Sequence, residues 1–334
     1  MTNPVLVELT RGDLVESVHR GTVAIVDAKG VLRFALGDVD APTYSRSSLK
    51  PMQAIPLVES GAAEAFGLSN EEIALACASH SGEPMHTERV AAWLARIGCR
   101  ESDLACGAHP ARYEPVAEAM IRDGINPTRL FNNCSGKHSG FLTVARHWDI
   151  ATEGYERIDH PVQRAVAAAL MELTGASELQ YGIDGCAAPN FATTVAGFAL
   201  AAAKMAAPDD LPKPRADATR RIIGAMIAHP ELMSGTGRAC ATLIRSGGSR
   251  VAVKTGAEGF FGAWVPDMAL GIALKIDDGA GRASETAIAA VLDALGLLGD
   301  DPKARALLRA PVLNTRGAAV GERRPAAALA RIDL

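Results

Sequence analysis

Apolar and polar positions divide this chain into strand-like ends and a helical middle. Near the start, apolar residues recur at 15–18 and 23–27. The turn residues Ala28-Lys29-Gly30 follow, and the run 31–36 then reads as the second arm of a hairpin. Residues 45–50 open an apolar segment that continues to Gly61. Within it Pro51 suits only a first helical turn, and Pro56 predicts a kink or a break. Around 73–78 two readings stay open, a helix capped by Asn70 or a short buried strand. The spacing predicts helices over 87–97, 115–122, 139–147, 161–173, 191–205 and 216–228. Residues 207–215 hold three prolines and two aspartates and read as a surface loop. Strand character returns at 250–254, 260–265 and 269–276, followed by a helix over 284–295 and an edge strand at 312–314. Strands at both ends with helices between predict an α/β (α+β) fold. It is a mostly antiparallel sheet built from both chain ends with an inserted helical lobe. The expected division is one domain over 1–334, with a sheet lobe of about 1–45 plus 235–334 and a helical lobe of about 46–234.

Composition narrows the class. With 334 residues, 48% of them hydrophobic, the chain can bury a large core. The net charge of −4 and the lack of a Lys/Arg run argue against a nucleic-acid partner. No apolar run reaches the roughly 20 residues of a membrane span, and no apolar stretch near Met1 suits a signal peptide. The expected location is therefore cytoplasmic. Six cysteines (77, 99, 106, 134, 186 and 240) form no CxxC pair, and in a reducing compartment structural disulfides are disfavoured.

Three clusters carry candidate chemistry. Ser47-Ser48-Leu49-Lys50 fits S-x-x-K, which on a helix sets the Ser47 hydroxyl beside the Lys50 amine. A serine hydroxyl needs such a base to become a nucleophile. Alone, the motif is weak evidence and reads more readily as a capping serine and a surface lysine. Lys254-Thr255-Gly256 follows a strand-like run, and serine β-lactamases and penicillin-binding proteins pair S-x-x-K with K-T-G. No S-D-N triad accompanies them here. The second cluster, Ser79-His80-Ser81, ends an apolar run; Ser79 is either a helix cap or a second active hydroxyl served by Lys254. The third comprises 132–140 with Cys134, Lys137 and His138, and 183–190 with Asp184 and Cys186. Cysteine with histidine raises zinc, although the spacing matches no ordinary zinc motif. The remaining cysteines read as small buried residues.

Taken together, Ser45-Arg46-Ser47-Ser48-Leu49-Lys50-Pro51, Cys77-Ala78-Ser79-His80-Ser81, Cys106-Gly107-Ala108-His109-Pro110, Asn133-Cys134-Ser135-Gly136-Lys137-His138 and Asp184-Gly185-Cys186 resemble the Rhizobium-type (class 3) L-asparaginases. The resemblance runs from about His19 to Gly317. It implies a serine β-lactamase-like fold, a homodimer, and hydrolysis of L-asparagine to L-aspartate and ammonia. It also implies two Ser–Lys pairs, Ser47 with Lys50 and Ser79 with Lys254, and zinc held by Cys134, Lys137 and Cys186 with water completing the shell. Arg46, His138 and Asp184 map to substrate-binding positions, and Cys240 to a cysteine near the site. The competing expectations are a glutaminase or β-lactamase-like hydrolase of the same fold, or a non-enzymatic zinc- or thiol-binding protein.

Overall fold

The computed structural model describes residues 2–330, 332 and 334. The chain forms two compact units, one from Met1–Ser48, Thr193–Ala207 and Thr242–Leu334, the other from Leu49–Ala192 and Pro208–Ala241.

The first unit is built on an antiparallel sheet of eight strands. These are β1 (Val5–Arg11), β2 (Leu14–Asp27), β3 (Leu32–Leu36), β4 (Ala252–Thr255), β5 (Phe260–Val265), β6 (Leu270–Ile276), β7 (Ala310–Leu313) and β8 (Ala319–Pro325). The order is β7-β8-β1-β2-β6-β5-β4, with β3 also paired to β2. The sheet thus comes from both chain ends, as the pattern predicts. Register places Glu8 opposite Val18, Ala24 opposite Ala273, and Lys254 opposite Gly262. β2 is continuous where two separate runs were expected. Its first half, polar and largely exposed, pairs with β1, and its second half is buried between β6 and β3.

Strands β5 and β6 are buried at nearly every position because the helices Val195–Ala206 and Gly281–Ala294 both pack on them. Phe198 meets Phe260 and Trp264 edge-on, with ring centroids 4.9 and 5.9 Å apart. The 195–206 helix therefore belongs with the sheet and not with the helical lobe to which the sequence pattern assigned it. Its mostly apolar sequence suits burial against strands. Its start also differs from expectation, since 191–194 are extended and Thr194 caps the helix by accepting from the Gly197 amide at 2.8 Å.

Strands β1 and β8 were not foreseen. β8 reads Ala-Val-Gly-Glu-Arg-Arg-Pro and is half-exposed throughout, so it shows no apolar alternation. Its charges pair across the sheet instead, with Arg324 Nε 3.1 Å from Glu8 and Arg309 Nη1 3.3 Å from Glu322.

The second unit is mostly helical. Residues 70–76 form a helix, which settles the earlier ambiguity. A capping box explains it: Ser69 accepts from the Glu71 amide, and Glu72 accepts from the Ser69 amide at 2.9 Å. Around it pack Ser135–His147, Lys213–Ala228 and Pro230–Ser234. The 213–228 helix begins earlier than expected because Pro214 lies in its first turn, where a missing N–H costs nothing. The 135–147 helix also begins early, taking in Gly136 and Lys137. At Gly136 the two helices touch: a Cβ there would lie 2.3 Å from the Leu75 carbonyl oxygen. The helix is buried from 135 to 145 although it carries Lys137, His138, Ser139 and Thr143. A buried helix keeps such side chains only when they have partners, which points to chemistry.

Candidate active site

Lys50 opens a short helix whose second residue is Pro51. Its amine is buried and has three acceptors: the Ala78 carbonyl, Ser79 Oγ at 3.1 Å, and the Asn133 carbonyl at 3.2 Å. Ser79 lies just past the C-terminus of the 70–76 helix, and its amide donates to the Met233 carbonyl at 3.2 Å. The lysine of S-x-x-K thus contacts a serine 29 positions away.

His80 ties this turn to the next helix. Its Nδ1 accepts from the Gly82 amide at 3.2 Å, so Nε2 carries the proton and donates to Ser135 Oγ at 2.8 Å. Ser135 Oγ in turn donates to the Leu130 carbonyl. His86 stacks on His80, with centroids 4.9 Å apart. Burial drives His80 well below the ordinary histidine value, and the nearby His86 and Lys50 add to the effect. His86 is lowered as well, again chiefly by burial.

The sulfur cluster is built from two loops. Asn132 Oδ1 accepts from the Cys134 amide at 2.9 Å, and the Asn133 amide donates to His109 Nε2 at 3.0 Å, which fixes the loop before the 135–147 helix. Across from it, Cys186 sits in a tight turn in which the Asp184 amide donates to the Ala188 carbonyl and Ala187 adopts φ +70°. A non-glycine residue held there is strained, and such strain gathers at functional sites. Lys137 Nζ lies 3.1 Å from Cys186 Sγ. The Cys134 thiol donates to Asn133 Oδ1 at 3.2 Å, and with Cys134, Lys137 and His138 beside it Cys186 ionises more readily than an ordinary cysteine. Cys134 is raised by the neighbouring Cys186 and by burial. Burial alone would lower Lys137, but Cys186 and Cys134 hold it above the usual lysine value.

Tyr155, which sequence reasoning missed, orients His138. Its hydroxyl accepts from the Ala105 amide and lies 2.6 Å from His138 Nδ1. Burial raises the phenol and lowers His138, so the phenol donates to Nδ1 and the His138 proton sits on Nε2. That Nε2 is buried without a hydrogen-bond partner among the described residues, and Cys186 is among the groups close enough to act on the ring. Cys106 is a third buried thiol, pushed up to about 12 by burial and by Cys186. No motif spacing flags Tyr155; its one sequence signal is an aromatic residue in an otherwise polar loop.

Two buried sulfurs with a buried amine touching one of them form a soft N/S donor set that fits zinc. No group of three His, Cys, Asp or Glu arranged to hold a metal ion occurs among the described residues. The amine that could join the two sulfurs as a third protein ligand is that of Lys137.

The other unit holds Arg46, Ser47, Ser48 and Lys254. Ser48, not Ser47, bonds the K-T-G strand, donating from Oγ to the Lys254 carbonyl at 2.8 Å. Lys254 is fully buried, and its Nζ donates to the Thr255 carbonyl at 2.8 Å. Arg46 adopts φ +50°, another strained position. Ser47 is half-buried, Asp184 is half-buried, and Cys240 is buried.

Comparison with known proteins adds three findings. Among solved structures, the chain is similar to a beta-lactamase from Mycobacterium bovis at 16% identity and TM-score 0.44, covering 82% of this chain and 94% of that one. It is also similar to a Bacillus glutaminase at 13% identity and TM-score 0.38, covering 83% and 91%. No curated protein matches it. The L-asparaginase II family model matches residues 7–325, and the chain accordingly belongs to the L-asparaginase II (Rhizobium-type) family of amidohydrolases.

Proposed function

We propose that the protein hydrolyses the side-chain amide of L-asparagine to L-aspartate and ammonia through an acyl-enzyme on a serine. One observation supports it most: the buried Lys50 amine lies 3.1 Å from Ser79 Oγ. As a free amine, Lys50 keeps two N–H bonds to the Ala78 and Asn133 carbonyls and turns its lone pair toward Ser79. It takes the hydroxyl proton as Ser79 attacks the amide carbon, and returns a proton to the departing ammonia. Water then attacks the ester, with Lys50 again as base, and releases aspartate. Ser47 and Lys254, expected as the partners of Lys50 and of Ser79 respectively, remain proposed catalytic residues on the strength of the S-x-x-K and K-T-G motifs. The His138 Nε2–H binds a substrate oxygen, Asp184 the α-ammonium and Arg46 the α-carboxylate. Cys240 stays a near-site residue.

Cys134, Lys137 and Cys186 would hold zinc, with water completing the shell. When bound, the ion supplies a fixed positive charge that helps orient the substrate. The homodimer carries over from the family resemblance, the cytoplasmic location remains the expectation drawn from the sequence, and light scattering of the purified protein tests the first.

Ammonia release should be seen with asparagine and exceed that with glutamine; a chromogenic β-lactam should be left intact. Preference for glutamine would make the enzyme a glutaminase. Release of no ammonia from either amide would leave the zinc- or thiol-binding reading. Stripping metal with a chelator should raise KM more than it lowers kcat. Ser79→Ala and Lys50→Met should each lower kcat by about 100-fold or more with folding intact. If Ser47→Ala is inactive while Ser79→Ala keeps wild-type turnover, the nucleophile is Ser47.

A further inference from the structure

We infer that Glu83 is a positioning residue whose side chain latches two stretches of chain around Ser79 and so aligns its hydroxyl with Lys50. The inference rests on the reading above that this couple does the chemistry. The stretches are 79–83 and 233–236, and the main chain of Ser81 ties 111–113 to the first of them. Glu83 is 7% exposed. Its Oε1 accepts from the Ser81 hydroxyl at 2.5 Å and from the Thr236 amide at 2.9 Å, and its Oε2 accepts from the Thr236 hydroxyl at 2.6 Å. The Ser81 carbonyl accepts from the Arg112 and Tyr113 amides at 2.8 and 3.0 Å. Ser79 itself donates to Met233, two residues before Gly235.

Gly235 shows how close the approach is. Its φ is +122°, and a Cβ there would lie 2.1 Å from Ser81 Oγ and 3.0 Å from Glu83 Oε1. Only a bare backbone fits, and a bare backbone offers no side chain to hold the contact. The Glu83 side chain supplies that hold from the opposite stretch. Without it the Thr236 amide loses its partner, and the 233–236 segment is joined to the serine turn through the 3.2 Å Ser79–Met233 bond. Glu83 touches neither Ser79 nor Lys50, so it acts through the main chain. A small displacement of a reacting group is enough to matter, because an error of about 1 Å can lower turnover by roughly 100-fold.

The latch depends on shape more than on charge. A glutamine keeps one acceptor for Ser81 and the Thr236 amide, and the Thr236 hydroxyl can turn to accept from its NH2. Glu83→Gln should therefore keep kcat within about threefold of wild type, whereas Glu83→Ala should lower it by roughly 10- to 100-fold with KM nearly unchanged. Hydrogen exchange should rise in 79–83 and 233–237 of Glu83→Ala and stay at the wild-type level in Glu83→Gln. If Glu83→Ala fails to fold, Thr236→Ala decides the matter: it removes one of the three bonds and should lower kcat several-fold with faster exchange in the same segments. Wild-type kcat in a folded Glu83→Ala or in Thr236→Ala would overturn the inference, as would loss of activity in Glu83→Gln equal to that in Glu83→Ala. A wild type that releases no ammonia would overturn the functional reading instead, and the exchange pattern reports the latch whatever the substrate.

Discussion

His80 and His86 show how single residues set the conditions under which this protein holds together. Each imidazole is locked as the Nε2–H tautomer, His80 by Gly82 and Ser135, His86 by the Glu83 amide and the Glu231 carbonyl. They stack, so a charge on one opposes a charge on the other. Both are held below their ordinary value of 6.5 in the folded state. The unfolded chain therefore takes up these protons first as pH falls, and it is the unfolded state that gains. Their contribution to stability is complete above about pH 6.5 and is lost progressively below it. Glu72 and Glu83 are also lowered, despite burial, by hydrogen bonds from Ser69 and from Ser81 with Thr236; they extend the loss in the same direction below about 4.5. Thermal denaturation should give a clearly lower Tm at pH 5.5 than at pH 7.5. A Tm unchanged over that range would contradict the tautomers assigned here.

At the scale of elements, the contact between the 70–76 and 135–147 helices matters most. The first helix ends just before Ser79; the second carries Lys137 and His138. Gly136 lets them touch, because a methyl group would meet the Leu75 carbonyl. Gly136→Ala should destabilise the protein by about 1–3 kcal/mol, the usual range for overpacking a tight core. It should also lower activity, since Leu75 lies three residues before Ala78, whose carbonyl holds Lys50. Chemical denaturation and kcat together test this, and a variant as stable as wild type would show that the helices can part without strain. The same helix explains one shortfall in reading the sequence. Its first turn, Ser135-Gly136-Lys137-His138, looks like a loop because glycine and polar residues dominate it. It is helical because the turn is buried against Leu75, where glycine is the residue that fits.

For the molecule as a whole, the sheet closes with β8, which lies between β7 and β1. Val7, Glu8 and Leu9 pair with Pro325, Arg324 and Arg323, and the Ala326 amide bonds the Leu6 carbonyl. Ending the chain after Arg309 would leave β1 with an unpaired edge, which invites aggregation. Such a variant should be largely insoluble or lose cooperative unfolding. A soluble form with an unchanged Tm would mean that the sheet does not depend on its late strands.

Some of this was settled along the chain itself. Apolar runs at 260–265 and 270–276 mark strands because both faces of those strands are covered, and Ser69 with Glu72 marks a helix start through bonds made within four residues. The motifs around Lys50, Cys134 and Cys186 identify the family because their residue types are rare in combination. Tertiary structure decided which groups meet. Lys50 bonds Ser79 across 29 positions and Lys137 reaches Cys186 across 49. Tyr155 fixes the tautomer of His138, and Glu83 reaches Thr236 across 153 positions. Local spacing sets helix and strand through bonds between near neighbours. Pairing between distant side chains is set by how buried elements cross, and no period in the sequence encodes that.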